Sequence, residues 1–108
     1  MDHYRQGDVL LIRVAQKSAR ARKVDREDGR IILAHGEATG HAHAIESPEA
    51  DLYEGFGGTR FLEVRKPVRL LHEEHAILTV EPAIYEVRRQ REYAPGMHGG
   101  LLGVPVRD

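Results

Sequence analysis

Cysteine is absent from this chain of 108 residues. Its absence excludes disulfides, which are typical of small secreted domains, and it removes thiolates from the ligands available to a metal ion. No apolar run is long enough to cross a membrane, and the first residues lack the apolar stretch of a signal peptide. These absences favour a cytoplasmic protein without a membrane span.

A large excess of one charge sign is also missing. Sixteen basic and seventeen acidic residues give a net charge of −1, which argues against a general nucleic-acid binder. Basic residues cluster within 20–26 and 88–91, but acidic neighbours accompany both clusters. Solvated surface is therefore the favoured interpretation of both, and an anionic partner is the alternative.

An apolar fraction of 41% and a charged fraction of 31% are typical of a soluble globular protein. The length suits one modest hydrophobic core. We expect a single β domain over residues 1–96. The segment 97–108 is expected to be a tail that is either flexible or packed on another subunit.

Short aliphatic segments alternate with turn signals along the chain. The pattern predicts an all-β small barrel or sandwich of about seven or eight short, mostly antiparallel strands. The predicted strands are 8–14, 30–35, 39–45, 52–53, 59–64, 68–72, 76–80 and 84–93. The charged segment 15–29 is interpreted as a loop, or as a short helix over 15–24. Many strand edges in so small a chain favour a homo-oligomer.

Four of the seven histidines form two tight clusters, Gly40-His41-Ala42-His43 and His72-Glu73-Glu74-His75. Residues two apart in a strand share a face, so His41 and His43 aim their rings to the same side. Val68, Leu70 and His72 share a face in the same way, which predicts that His72 points inward. A turn at residues 73–74 would bring His75 beside His72.

Imidazole is the commonest protein ligand for transition metals. The clusters therefore predict a divalent metal ion, which could be zinc, iron, manganese, nickel or copper. The expected ligands are His41, His43 and His72, with His75 or Glu74 as the fourth. Three protein ligands would leave a coordination position for water, as in a metal-dependent hydrolase or oxygenase. Four histidine ligands would fill the coordination shell and make the site structural. Whether the protein is an enzyme stays open, and the hypothesis requires the two clusters to converge in space.

Other interpretations of the histidines remain. They could be hydrogen-bonded residues without a metal, or they could act with Glu73 or Glu74 in general acid–base chemistry. His3, His35 and His98 show no such pattern, although His35 is a reserve ligand because it ends a predicted strand.

The last predicted strand carries Arg88, Arg89, Arg91 and Tyr93, a candidate site for an anion or another partner. Pairing with acidic neighbours or an oligomer contact is the favoured alternative. The glycine-rich segment 55–59 lacks the lysine of a phosphate loop and is interpreted as a hairpin turn.

Several motifs together resemble a family of small uncharacterised proteins of bacterial and phage genomes. They are Gln6-Gly7-Asp8-Val9-Leu10-Leu11, the segment 36–45 around the first histidine pair, His72-Glu73-Glu74-His75 and Arg89-Gln90-Arg91-Glu92-Tyr93. The resemblance spans about residues 6–95 and brings no established activity.

The chain is more loosely similar to the cupins, small β-barrels that hold a metal through a His-x-His strand, a glutamate and a later histidine. His41 and His43 match the first pair, and Glu46 falls near the glutamate at a shorter spacing. The resemblance implies a barrel with an inward metal site.

Two functions from different classes follow. The first is a metal-binding, barrel-like homo-oligomer with an unassigned catalytic role. The second is a structural or assembly module of a ring, a cage or a phage-associated complex, in which the histidines lie at interfaces.

Overall fold

The structure, a computed structural model, describes residues 2–36, 40–93 and 103–105, with only the backbone described for residues 91–93 and 103–105. Apart from one 3-10 turn at Phe56–Gly58, the regular structure of these residues is β. The strands are β1 (His3–Gln6), β2 (Val9–Val14), β3 (Arg22–Lys23), β4 (Ile31–His35), β5 (Ala42–Ile45), β6 (Ala50–Glu54), β7 (Arg60–Val64), β8 (Val68–His72), β9 (His75–Val80), β10 (Ala83–Arg89), β11 (Arg91–Tyr93) and β12 (Gly103–Pro105).

The first ten strands, β1 through β10, pair antiparallel with their neighbours and form two sheets. One sheet has six strands in the order β1-β2-β10-β7-β6-β3, and the other has four in the order β4-β5-β8-β9. β11 and β12 form a separate antiparallel pair. The prediction of an all-β, mostly antiparallel fold is confirmed, and the arrangement of the two sheets is sandwich-like.

The segment 15–29 contains a strand and no helix. Arg22 and Lys23 of β3 pair with Glu54 and Tyr53 of β6. The alternative of a helix over 15–24 is therefore wrong, because the apolar residues there are too sparse to form a buried helical face.

Two further strand boundaries differ from the sequence prediction. β1 was not predicted, although it pairs with β2 over its whole length. The predicted strand 84–93 is divided into β10 and β11 at Gln90, whose backbone N–H donates to the carbonyl of Asp8 at 2.8 Å. Both differences lie near Asp8, which follows β1 and accepts the hydrogen bond from Gln90 at the end of β10.

The core lies between the facing sides of the two sheets. Leu11, Leu62 and Tyr85 come from the six-stranded sheet, Leu33 and Leu70 come from the other, and none is more than 1% exposed. Burial of a large apolar side chain contributes about 1.5–3 kcal/mol. These contacts therefore fix how the two sheets stack.

Strand β5 is buried on both faces. His43 and Ile45 are 0% exposed, whereas Ala42 and Ala44 pack with Ile32 in a separate small cluster. The predicted alternation of faces is seen for residues 42–45 of this strand. The predicted tail 97–108 lies outside the described residues except for β12. No helix in the described part of the chain is long and apolar enough to span a membrane.

Candidate functional site

The structure brings the four clustered histidines together. β5 and β8 are neighbours in the four-stranded sheet, and His72 lies directly opposite His75 in the β8–β9 hairpin. The ring centroids of His43 and His72 are 4.3 Å apart, and those of His72 and His75 are 4.7 Å apart. His41 lies 5.8 Å from His72, and His43 lies 6.0 Å from His75. The two sequence clusters therefore form one group of four rings.

The rings differ in exposure. His43 is 0% exposed and His72 is 7% exposed, whereas His41 and His75 are half-buried. A register irregularity between Leu70 and His72 lies where β8 delivers its histidine. The cluster thus extends from the closed interior at His43 toward solvent.

Gln6 of β1 determines the tautomer of His43. The Gln6 amide nitrogen donates to the backbone carbonyls of Leu70 and Ala76, each at 3.0 Å. Its oxygen is then the atom that lies 2.8 Å from His43 Nδ1, and a carboxamide oxygen can only accept. His43 Nδ1 therefore carries the proton, and in a neutral ring Nε2 is the atom with the lone pair.

Asp8 lies against the other nitrogen of the same ring. Its Oδ1 is 3.4 Å from His43 Nε2, and the Asp8 side chain is only 4% exposed. Its Oδ2 accepts hydrogen bonds from Arg89, at 2.8 Å from Nε and also from Nη2. One carboxylate therefore connects the arginine at the end of β10 to the most buried imidazole.

His72 has the opposite tautomer. The backbone N–H of Glu74 donates to His72 Nδ1 at 3.0 Å. Because a backbone N–H can only donate, Nδ1 accepts and the proton of the neutral ring is on Nε2. The tight turn between His72 and His75 thus orients this ring.

The two glutamates of the turn have separate roles. Glu73 accepts a hydrogen bond from the backbone N–H of Ala42 at 3.0 Å, and this bond holds the pKa of the Glu73 carboxyl below its usual value. Glu74 places Oε1 3.5 Å from Nδ1 of His41. Glu73 therefore links the start of β5 to the hairpin, and Glu74 is the carboxylate that lies beside His41.

Buried polar atoms collect in this cluster. Within the described residues, Asp8 Oδ1, His41 Nδ1 and His75 Nε2 are buried and have no hydrogen-bond partner. In the same residues, no group of three or more histidine, aspartate or glutamate side chains is arranged so that it could hold a metal ion as placed. The imidazoles pack against one another, and His72 uses Nδ1 to accept the Glu74 N–H.

The predicted anion or partner site divides in the structure. Arg88 pairs with Glu86 at 2.7 Å and Arg89 pairs with Asp8, as in the alternative of pairing with acidic neighbours. The Arg91 and Tyr93 side chains lie outside the described residues. A partner role for this segment stays a prediction.

Three other residues considered from the sequence are not among the four clustered rings. His35 is 3.4 Å from Glu27, and both side chains are largely exposed. His3 is exposed on β1. Glu46, the residue near the cupin glutamate position, is exposed and lines a groove with Ala42, Ala44 and His72. His98 lies outside the described residues.

Sequence reasoning missed Gln6 and Asp8 as members of the site. Both are almost completely buried, at 3% exposed each. Their signal was the placement of an amide and a carboxylate directly before an aliphatic strand that enters the core.

Comparisons with known proteins agree with the expectation of an uncharacterised family. A family model described as Domain of unknown function (DUF8820) matches residues 5–90. This range contains all four clustered histidines together with Gln6, Asp8 and Arg89. No curated protein and no solved structure matches the chain.

Proposed function

The chain belongs to the family described as Domain of unknown function (DUF8820), and we propose that its four-histidine cluster binds one divalent transition metal ion. The observation that carries the proposal is the packing of imidazoles from β5 and from the β8–β9 hairpin against one another, with the buried carboxylate of Asp8 3.4 Å from Nε2 of His43. Buried polar atoms without protein partners are costly, and a bound cation compensates for that cost.

The spacings in the cluster support a small cation. Bonds of about 2.1 Å at tetrahedral angles place neighbouring ligand atoms roughly 3.4 Å apart and bound imidazole centroids roughly 5 Å apart. His43 Nε2 and Asp8 Oδ1 are 3.4 Å apart, and His41 Nδ1 and Glu74 Oε1 are 3.5 Å apart. The ring centroids in the cluster are 4.3 to 6.0 Å apart, a range that includes the centroid separation expected for two imidazoles on a tetrahedral ion.

The tautomers assign different roles to the rings. Because Gln6 fixes the proton of His43 on Nδ1, Nε2 is the nitrogen whose lone pair can bind a metal ion. A hydrogen bond to one imidazole nitrogen often prepares the other nitrogen for a metal in this way. His41 and His75 are the half-buried rings that reorient most easily toward the same ion. His72 would join only after releasing the Glu74 N–H, so in this proposal it supports the site by packing between the other rings.

The ligand chemistry fits several metals. Imidazole with one carboxylate suits zinc, iron, manganese, nickel and copper. Asp8 or Glu74 would supply the carboxylate. Three protein ligands would leave a coordination position for water, which hydrolases and oxygenases use, and that enzymatic role stays a prediction.

Metal analysis of untagged protein tests the proposal. The protein is purified without chelators and its metals are measured by mass spectrometry, with a His43→Ala/His75→Ala double variant and a matched His3→Asn variant. We expect about one metal ion per chain in the wild type and in His3→Asn, and loss of the metal in the double variant. Metal-free protein that also binds none of the five metals in titration would overturn the proposal.

Self-association is a second candidate function, because the sheet that carries the histidines also has an open groove, which His72 and Glu73 line in part. The groove has a volume of about 270 Å³, Ala42 and Ala44 also line it, and Ile77 in its lining is 54% exposed. Its lining also includes Arg30 and Glu46, so a copy related by a two-fold axis would place opposite charges together. Light scattering of Ile77→Lys tests this: a dimer that becomes a monomer supports it, and a monomeric wild type contradicts it.

A further inference from the structure

A second cleft opens at the β3 edge of the six-stranded sheet. It has a volume of about 500 Å³, and none of its lining residues belongs to the histidine cluster. This size falls within the ~300–1,000 Å³ that is common for small-ligand pockets. Arg20, Arg22 and Lys23 line it together with the aromatic ring of Phe56.

The lining of this cleft carries more positive than negative charge. Arg22 lies opposite Glu54 in the β3–β6 register, yet within the described residues neither Arg20 nor Arg22 forms a side-chain ion pair or hydrogen bond. Lys23 is 3.7 Å from Asp51 and its side chain is 61% exposed, so that pair contributes about 1 kcal/mol or less. Glu54 is the single acidic residue among those lining the cleft.

Phe56 presents an apolar ring to solvent beside these cations. It is 99% exposed, the highest value among the large apolar residues of the described chain. The turn that carries it has two consecutive glycines in the left-handed region, Gly57 at φ 82° and Gly58 at φ 83°, where a side chain would be strained. The backbone of this turn therefore depends on its glycines to present the ring.

Gly55 allows the two walls of the cleft to approach each other. A Cβ atom at Gly55 would lie 3.1 Å from Oγ of Ser18. The segment that leads to Arg20 thus packs directly on the turn that leads to Phe56. This close approach sets the cations and the ring beside the same opening.

We propose that this cleft binds single-stranded nucleic acid, with one base stacked on Phe56 and the adjacent phosphates held by Arg20, Arg22 and Lys23. An aromatic ring beside a row of cations matches the alternation of base and phosphate along a single strand. A duplex keeps its bases stacked inside and offers no free base face to the ring. The concave shape favours a discrete strand over the flat surface of an anionic membrane.

Fluorescence anisotropy with a labelled oligothymidylate tests the proposal in the full chain. We expect saturable binding at about 50 mM salt that weakens toward about 200 mM salt. Phe56→Ala should weaken binding about 10-fold, and Phe56→Tyr, which keeps a stacking ring, should bind like the wild type. The Arg20→Gln/Arg22→Gln variant should reduce the slope of log affinity against log salt by about 1.4, the value for two single-strand phosphate contacts.

The matched control is Arg13→Gln, which removes an exposed cation from β2 and should leave the affinity unchanged. Absence of binding at low salt would overturn the proposal. Equal affinity for a duplex of the same length would also contradict it, as would equal losses of affinity in Arg13→Gln and in the cleft variants. Binding to phosphatidylserine vesicles without binding to the oligonucleotide would assign the cleft to a membrane surface instead. Circular dichroism of each variant confirms that its fold is retained.

Discussion

The Nε2 atom of His43 lies 3.4 Å from the Oδ1 atom of Asp8, and both side chains are almost completely excluded from solvent. Gln6 fixes the proton of His43 on Nδ1, so Nε2 of the neutral ring is an acceptor that faces a carboxylate oxygen, which is also an acceptor. Two acceptors at this distance repel each other. A metal cation bound between them would remove that repulsion.

Metal loading should stabilise the protein if a metal ion binds between His43 and Asp8. A ligand at about 100 times its Kd adds about 2.7 kcal/mol to the free energy of unfolding. For a chain of this size that corresponds to a rise in Tm of about 10 °C or more. Differential scanning fluorimetry of chelator-treated protein with and without zinc measures the shift.

Two variants make that measurement specific. The shift should disappear in His43→Ala/His75→Ala and persist in His3→Asn, which removes an exposed histidine of β1. A zinc-induced rise of equal size in the double variant would show that the metal binds elsewhere and would contradict the proposed site.

Replacement of Gln6 by Met should weaken both the fold and the site. The substitution keeps the length of the side chain but removes the donors to the carbonyls of Leu70 and Ala76 and the acceptor for His43. We expect a loss of about 1–3 kcal/mol in the free energy of unfolding, because buried polar groups lose their partners. Metal affinity should fall about 10–100-fold, since the tautomer of His43 is no longer fixed.

Urea unfolding and metal titration measure the two effects separately. Gln16→Met is the matched control, because Gln16 is exposed and precedes β3. Unchanged stability in Gln6→Met would show that these hydrogen bonds are replaced without cost. Unchanged metal affinity would show that the tautomer of His43 does not matter for binding.

The histidine faces could be predicted from sequence because they depend on local periodicity. Alternation along β5 separates His43 and Ile45 from the two alanines, and burial in the structure follows that pattern. The turn between His72 and His75 was only one of the arrangements that the sequence left open, because two adjacent glutamates are not a turn signal. Local periodicity alone was sufficient for the two faces of β5.

The remaining part of the site depends on contacts between distant residues. Gln6 is 37 positions from His43, and Asp8 is 81 positions from Arg89. These contacts follow from the order of strands in the sheets, which local patterns do not determine. β1 was missed for a related reason, because the residue that it buries beside the cluster, Gln6, is polar and weakens the hydrophobic alternation.

Alkaline pH should destabilise the fold through Tyr85. Burial raises the pKa of Tyr85 from its ordinary value of 10.0 to about 12, and its hydroxyl donates to the carbonyl of Glu81 at 2.7 Å. The folded state holds this proton more tightly than the unfolded state. The resulting stabilisation is therefore fully present below about pH 10 and is lost as the pH rises through 12, about 2–3 kcal/mol in all.

Urea unfolding across this pH range tests the assignment against Tyr85→Phe. The variant should be about 1 kcal/mol less stable near neutral pH, because it lacks the hydrogen bond, and its stability should fall less steeply above pH 10. Near-ultraviolet absorbance should show a tyrosine ionisation near pH 12 in the wild type that is missing in Tyr85→Phe. Identical absorbance titrations of the two proteins would contradict the assignment.

Asp8 and Arg89 offer a way to separate the metal site from the structural ion pair beside it. Asp8→Asn keeps the shape of the side chain but removes the negative charge that faces both Arg89 and His43. If Asp8 holds a metal ion with His43, this variant should lose stability and should also bind metal about 10-fold or more weakly. Arg89→Gln breaks the same ion pair but leaves the carboxylate in place, so it should lose stability while metal affinity changes little. Calorimetric titration of both variants measures the difference, and equal metal affinities in Asp8→Asn and Arg89→Gln would show that Asp8 serves only the ion pair.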